Sequence, residues 1–393
     1  MPLKIAIVVH GRFYAFDLAR ELINQGYQVT LFTNYPKHIV EGFGIPRTHT
    51  QSFLIHGLLS RILNRLHHIL KTPNFESLLH ISFSKWATNQ ILQGEYDVIH
   101  VFSGIAEELF QALVDQPIAK TLVRGSSHIR TQLELLSEEE QRAKTSIEKP
   151  SQWIIHREEK EYQLADAICV LSSFAKQSFI DKNIDQRKLR MLPLGARLDK
   201  FRPDERVIQE RCDRILSGKA LRVLMVGTFS YRKGAIDFVE IANQCSPQLT
   251  FKFVGAIAPE ASLLAKHSCK TIDFIDKQPQ YSLPKYYNWA DLFVFTTIED
   301  GYAVVLAQAQ AAGLPILTTT NCSGPDLVVN GQTGWIVPIR DPESFIAQLQ
   351  WCHKHRQELA QMVQQVYDNF APRDWTDVAT DFVSICTELI KQK

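Results

Sequence analysis

The chain has 393 residues, 45% of them hydrophobic and 22% charged, and its formal net charge is +1. That length suggests two domains, and the composition supplies material for two cores. The near-neutral balance gives no long-range positive field, so nucleic acid is not expected as a partner.

The N-terminal "MPLKIAIVVHGRF" has too short an apolar run for a signal peptide and reads as a first β-strand. No stretch approaches the ~18 apolar residues of a membrane span. The seven cysteines (Cys169, Cys212, Cys245, Cys269, Cys322, Cys352 and Cys386) form no C-x-x-C pair. Their odd number and wide spacing read as reduced thiols of a cytosolic protein, mostly small core residues, and argue against a zinc ribbon.

In chain order, short apolar runs alternate with amphipathic segments, as in parallel α/β folds. The first set of expected strands covers 4–10, 28–33, 97–102, 120–125, 167–172 and 189–194. Between the first two, Phe16, Leu18, Ala19, Leu22 and Ile23 follow helical spacing, and Gly26 is placed to stop the helix. From Gly42 to Phe75 there is no acidic residue, while Arg47, Arg61, Arg65 and Lys71 occur with His49, His56, His67 and His68. Within it, Leu58, Leu59, Ile62, Leu63, Leu66, Ile69 and Leu70 have helical spacing. A basic amphipathic helix of this kind can lie on an anionic membrane. The expectation is a helix packed on its own domain, with peripheral membrane contact as the second reading.

A second set of strands is expected at 221–227, 249–255, 271–275, 291–297, 315–319 and 334–339, and a last helix at about 375–391. Pro193, Gly195 and Pro203 cluster near 195–205 and mark the boundary. Two doubly wound sheets in one chain leave a cleft between the carboxyl ends of their strands, where open α/β sheets bind ligands.

Two stretches carry candidate chemistry. "VGTFSYRKGAIDFVEIA" (226–242) reads as strand, glycine turn, and Arg232-Lys233-Gly234 at the mouth of a helix. Two cations beside free N–H groups and a helix dipole suit a phosphate; the alternative is a solvated basic turn. It is not a P-loop, since G-x-x-x-x-G-K is absent. In "TIEDGYAVVLAQAQAAGLPI" (297–316), a buried strand leads to Glu299-Asp300-Gly301 and a helix from Ala303 to Ala312 that Gly313 ends. Gly301 permits close backbone approach to a ligand. One of the two adjacent carboxylates is alternatively a plain helix N-cap.

Together these stretches resemble the retaining glycosyltransferases of family 4, with the GT-B fold. Asp300-Gly301-Tyr302-Ala303 matches the family's carboxylate–Gly–Phe–Gly segment, and Gln308 stands where a second carboxylate is usual, eight residues on. The resemblance covers nearly the whole chain, including "LADAICVLSSFAKQSFI", "MLPLGARLDKFRP" and "DNFAPRDW". It implies two Rossmann-like domains facing a cleft: 1–198 for the acceptor, joined by the C-terminal helix 372–393 crossing back, and 199–371 for the donor.

It also implies the roles. Asp300 holds donor-sugar hydroxyls, backbone groups of Gly301, Tyr302 and Ala303 hold sugar and phosphate, and Gln308 takes the ribose. Lys233 matches the usual lysine. Thr228 stands where an arginine often follows the phosphate-loop glycine, and Arg232 can supply that charge. Base contacts fall near Phe274-Ile275. In the N-terminal half, His10-Gly11-Arg12 matches the loop facing the donor phosphates. "VRGSSHI" puts Arg124 and His128 where the family often has a histidine near the transferring sugar. A polar loop without catalytic importance is the plainer alternative there. Gln308 replaces a charge-assisted hydrogen bond by a weaker one, a modest loss of ~1–2 kcal/mol.

The expected activity is transfer from a nucleotide diphosphate sugar, UDP- or GDP-linked, to a glycan, lipid or small-molecule hydroxyl. The family implies retention by a front-face route in which the leaving phosphate helps deprotonate the acceptor. No Asp-x-Asp triplet occurs, so no essential metal is expected. The expected location is the cytoplasm, or peripheral on the inner membrane face. Two rivals differ in class. A 2-epimerase-like isomerase would turn over donor without acceptor, and a non-catalytic nucleotide-sugar binding protein would bind without turnover.

Overall fold

A computed structural model describes residues 2–70 and 75–393, with the side chains of residues 64–70 outside the description. The first sheet has seven strands: β1 (Lys4–Val9), β2 (Gln28–Thr33), β3 (Thr50–Ser52), β4 (Val98–Phe102), β5 (Ala119–Val123), β6 (Ala167–Val170) and β7 (Leu189–Met191). The second has six: β8 (Leu221–Phe229), β9 (Leu249–Ile257), β10 (Ile272–Ile275), β11 (Leu292–Phe295), β12 (Ile316–Thr319) and β13 (Gly334–Val337). All pairings are parallel. The orders are β3-β2-β1-β4-β5-β6-β7 and β10-β9-β8-β11-β12-β13. The strand order of each sheet reverses once, at β1/β4 and at β8/β11, and the crevice of such a fold opens at that point.

Central strands read as unbroken apolar runs because helices cover both faces. In β1, Ile5 to Val9 are fully buried. Seven helices matter below: α1 (Ala15–Asn24), α2 (Leu54–Leu70), α3 (Glu76–Ile91), α4 (Ile129–Ala143), α5 (Ala235–Cys245), α6 (Val304–Ala311) and α7 (Trp375–Lys391). Gly26, at φ +88°, follows α1 as expected. The last helix, α7, packs on the first sheet. Its Val378, Ala379, Phe382, Cys386 and Leu389 join the core of β1, β2 and α1. The Phe382 ring lies edge-on to buried His100 of β4, 4.7 Å between centroids. Asp374 and Asp377 close a reciprocal capping box at its start. Six of the cysteines are buried, Cys269 is exposed, and all seven are free.

Several expected strands end early. Pro193 has no N–H to give a ladder, and β7 stops at Met191. The strand β11 stops at Phe295, and Thr296 turns its hydroxyl to the Gly234 carbonyl at 2.9 Å. The edge strand β3 was not expected, being three residues without an apolar run. The basic helix forms as α2 and packs on its own domain, through His56, Gly57 and Ser60 rather than through the described part of its apolar side. Leu58, Leu59 and Ile62 are exposed while His56 and Ser60 are buried. The side chains of Arg65, Leu66, His67, His68, Ile69 and Leu70, and all of Lys71, lie outside the described residues. Among the described residues no helix is long and apolar enough to cross a membrane.

Candidate active site

The two motif loops follow β8 and β11, the adjacent strands at the reversal point of the second sheet. After β8 the chain makes a tight turn over Tyr231–Lys233 and enters α5 through Gly234 at φ +73°. A Cβ on Gly234 would stand 1.9 Å from the Thr296 carbonyl oxygen, so glycine is what lets the two loops touch. The Arg232 carbonyl accepts from Ile298 N–H at 3.0 Å, which fastens one loop to the other.

Charges pair across this seam. Lys233 Nζ reaches Asp300 Oδ2 at 2.6 Å, and Arg232 Nε donates to Glu299 Oε2 at 2.8 Å. Asp300 Oδ1 accepts from Tyr302 N–H at 3.1 Å, and Ser323 Oγ from Ala303 N–H at 3.1 Å. Two of the backbone donors expected to hold sugar and phosphate are therefore engaged, Tyr302 within its own loop and Ala303 by the loop after β12. Neither carboxylate caps the following helix: α6 begins after Ala303 with no side-chain cap.

Glu299, the neighbour of the matched carboxylate, is the residue the sequence reading left out. It is fully buried and reaches the other half of the molecule. Its Oε1 accepts from Ser127 N–H at 2.9 Å and Ser127 Oγ at 2.8 Å, and its Oε2 from Gln132 Nε2 at 3.2 Å. Arg232 also donates to Ser126 Oγ at 2.8 Å. Burial would raise the Glu299 carboxyl. Arg232, the Ser127 N–H, Lys233 and Arg124 overcome that and hold it down at about 2. The only hint in the sequence is position, beside Asp300 and opposite the hydroxyls of "RGSSH".

Gly301 meets the same facing loop. A Cβ there would lie 2.3 Å from the Gly125 carbonyl oxygen. Further from the site, Arg340 Nε bonds Glu139 at 2.9 Å, Arg142 pairs with Asp237, and Asp326 accepts from Ser173 N–H at 2.9 Å. The two halves are thus closed on each other over the candidate site.

Gln308 is buried in the second half, and its Oε1 accepts from the hydroxyl of Tyr287 at 2.8 Å. Thr228 is exposed near the end of β8, and Ile275, half-buried, ends β10. On the first sheet, Gly11 at φ +109° follows β1; its N–H donates to Asn34 Oδ1 at 3.0 Å. Arg12 lies 3.7 Å from Asp17 and stacks 4.1 Å over Phe43. It lines a cavity of about 570 Å³ with Gly195, Arg197, Gln280 and Trp375, which neither Lys233 nor Asp300 lines.

Arg124 is buried, with Nε on Glu158 at 2.6 Å and a second nitrogen on Gln132 at 3.0 Å. His128 departs furthest from its expected setting. It is 2% exposed, its Nδ1 accepts from Arg130 N–H as the N-cap of α4, and its ring lies against Tyr162 and Phe179. Burial first, and then Arg124, lower its pKa to about 4, so the ring is neutral at pH 7. The same loop instead offers Ser126 and Ser127 to Arg232 and Glu299 of the second half.

Residues 12–200 match the model of Glycosyltransferase Family 4, and residues 220–355 match Glycosyl transferases group 1. The chain is 27% identical over 193 residues to the capsular polysaccharide biosynthesis glycosyltransferase CapM of Staphylococcus aureus, covering 44% of this chain and 48% of that protein. It is 23% identical over 284 residues to the UDP-Gal:alpha-D-GlcNAc-diphosphoundecaprenol alpha-1,3-galactosyltransferase of Escherichia coli, covering 64% and 65%. Thus the matches reach only about half to two thirds of the length of these relatives. In fold it is similar to Anabaena HepE, solved in complex with UDP, with a TM-score of 0.69 at 14% identity over 98% of this chain and 100% of that one. With these two domains in this order on two facing Rossmann-like sheets, the chain belongs to the glycosyltransferases of the GT-B fold.

Proposed function

We propose that the protein transfers a glycosyl group from a nucleoside diphosphate sugar to an acceptor hydroxyl, with retention of anomeric configuration. One observation carries the reading. Two cations at a helix N-terminus and a loop carboxylate meet at the reversal point of the second sheet, facing a polar loop of the first. Retention rests on the likeness of Asp300-Gly301-Tyr302-Ala303 to the retaining family 4 segment.

In this reading the Lys233–Asp300 pair holds the place of the donor. The diphosphate takes over Lys233, with Arg232 and the N-terminus of α5 beside it, and Asp300 is released to accept from sugar hydroxyls. As the glycosidic bond to phosphate breaks, negative charge grows on the leaving diphosphate, where these fixed positive groups stabilise it. They do so without an essential metal. Gly301, Tyr302 and Ala303 line the sugar, and Thr228 and Gly11 flank the phosphates. Gln308 offers its amide nitrogen to the ribose, and the Ile275 backbone meets the base. Arg12, Arg124 and His128 belong to the acceptor side, the two buried ones acting through the shape of their loop.

The UDP of HepE and the UDP-sugar in the name of the E. coli relative make a UDP-sugar the first donor to test, a GDP-sugar the second. Those relatives' names favour a glycan or lipid-linked acceptor, and we place it on the cytoplasmic side. The test is release of nucleoside diphosphate from a panel of sugar nucleotides, with and without acceptor, and the anomeric form of the product. Acceptor-dependent release with retention, unchanged by a chelator, is the expected result. Turnover without acceptor would point to an epimerase, and binding without turnover to a binding protein.

A further inference from the structure

Helix α2 is amphipathic in the inverted sense. Its inward side carries His56 and Ser60, both buried, and Gly57, where a Cβ would stand 2.1 Å from the Asn34 carbonyl oxygen. Its outward side carries Leu54, Ile55, Leu58, Leu59 and Ile62, each between 46% and 70% exposed. Positions 54, 55, 58, 59 and 62 lie along one stripe of an α-helix. Leu78 of α3, 60% exposed, stands next to Leu79, whose carbonyl holds His56 Nε2 at 2.9 Å. Monomeric proteins rarely expose contiguous apolar surface of this kind without a use for it.

The charges around the stripe say what covers it. From Gly42 to Phe75 the chain has no carboxylate, and its charges are all cationic. Arg47 pairs with Glu41, while Arg61 is exposed, its guanidinium 5.5 Å from the centroid of the Tyr35 ring. A second copy of the chain would bring like charges together. An anionic bilayer offers acyl chains to the leucines and lipid phosphates to the cations.

The inward side of the same helix faces the cleft. The His56 ring lies 5.0 Å from His10 at the carboxyl end of β1, and His10 lies 5.4 Å from His80. About one helix diameter, roughly 10 Å, therefore separates the apolar stripe from the acceptor side of the site. We propose that α2 seats the protein on an anionic bilayer, with its apolar stripe at the headgroup–acyl boundary, and that the acceptor is an amphiphile drawn from that membrane. The second clause rests on the glycosyltransferase reading; the first stands without it.

The experiment is co-sedimentation with vesicles of phosphatidylglycerol and phosphatidylcholine in equal parts, against vesicles of phosphatidylcholine alone. The wild type is expected to bind the anionic vesicles at low ionic strength and to leave them as salt rises. The triple variant Leu58→Ser, Leu59→Ser, Ile62→Ser is expected to lose binding by a factor on the order of 100, from the apolar surface removed. Its melting shift with nucleoside diphosphate should equal that of the wild type, which shows that fold and donor site are intact. Absence of wild-type binding, equal binding by the triple variant, or a wild-type dimer that the variant dissolves without any vesicle binding would overturn the proposal. A failed nucleotide shift in both proteins would instead count against the enzyme reading, because vesicle binding is read separately.

Discussion

Replacing Glu299 by Gln removes one charge from the seam between the two halves. Its carboxylate is fully buried and takes donors from Ser127, Gln132 and Arg232 at 2.8–3.2 Å. Holding that carboxyl at about 2, against an ordinary 4.5, corresponds to about 3 kcal/mol in favour of the folded, ionised form. Breaking a buried ion pair by removing one partner costs a similar ~3–5 kcal/mol, reached by a separate route. The amide keeps the shape but sets an NH2 group among donors. Because the folded pKa is depressed, the stabilisation is present above the unfolded pKa and is lost as pH falls toward 2. The assay is urea unfolding of wild type and variant across pH. The difference should be about 3 kcal/mol at pH 7 and fall to about 1 kcal/mol near pH 3. A difference below about 0.5 kcal/mol at pH 7, or one that does not shrink between pH 5 and pH 3, would refute the account of Glu299.

The remaining predictions concern the donor side and closure. Gln308→Glu should lower the KM for donor about 5- to 30-fold, the equivalent of ~1–2 kcal/mol, by restoring a charged acceptor for the ribose. Steady-state kinetics with the preferred sugar nucleotide measure this, and an unchanged or raised KM would remove Gln308 from the donor site. Gly301→Ala places a methyl 2.3 Å from the Gly125 carbonyl, so the halves cannot close as observed. Small-angle scattering should give a larger radius of gyration, with activity lost and each half still folded. A variant as compact and active as the wild type would contradict the closed seam.

The two sheets were legible because buried parallel strands are written as plain apolar runs, as in "KIAIVV" and "LRVLMV". The two motif loops were legible because they sit at strand carboxyl ends and keep their short-range spacing. What the sequence hid depends on distant partners. Glu299 read as one of two adjacent carboxylates of which one is alternatively a plain helix N-cap, since the Ser127 that it holds lies 172 residues away. His128 lies in the loop that meets Glu299, but its ring serves as a helix cap inside an aromatic pair contributed by other elements. In α2 the periodicity gave the stripe, whereas the side that packs was decided by Gly57 against Asn34, a contact no period encodes.

The most direct test of the central claim is the melting temperature of the protein against UDP, GDP, ADP, CMP and their sugars, repeated with Lys233→Ala. A ligand at about 100 times its Kd stabilises by ~2.7 kcal/mol, a readily measured shift. The account predicts a selective shift with one nucleoside diphosphate and its sugar, lost in Lys233→Ala while the fold is retained. No shift with any nucleotide, or one that Lys233→Ala leaves intact, would contradict a donor site built on Arg232, Lys233 and Asp300.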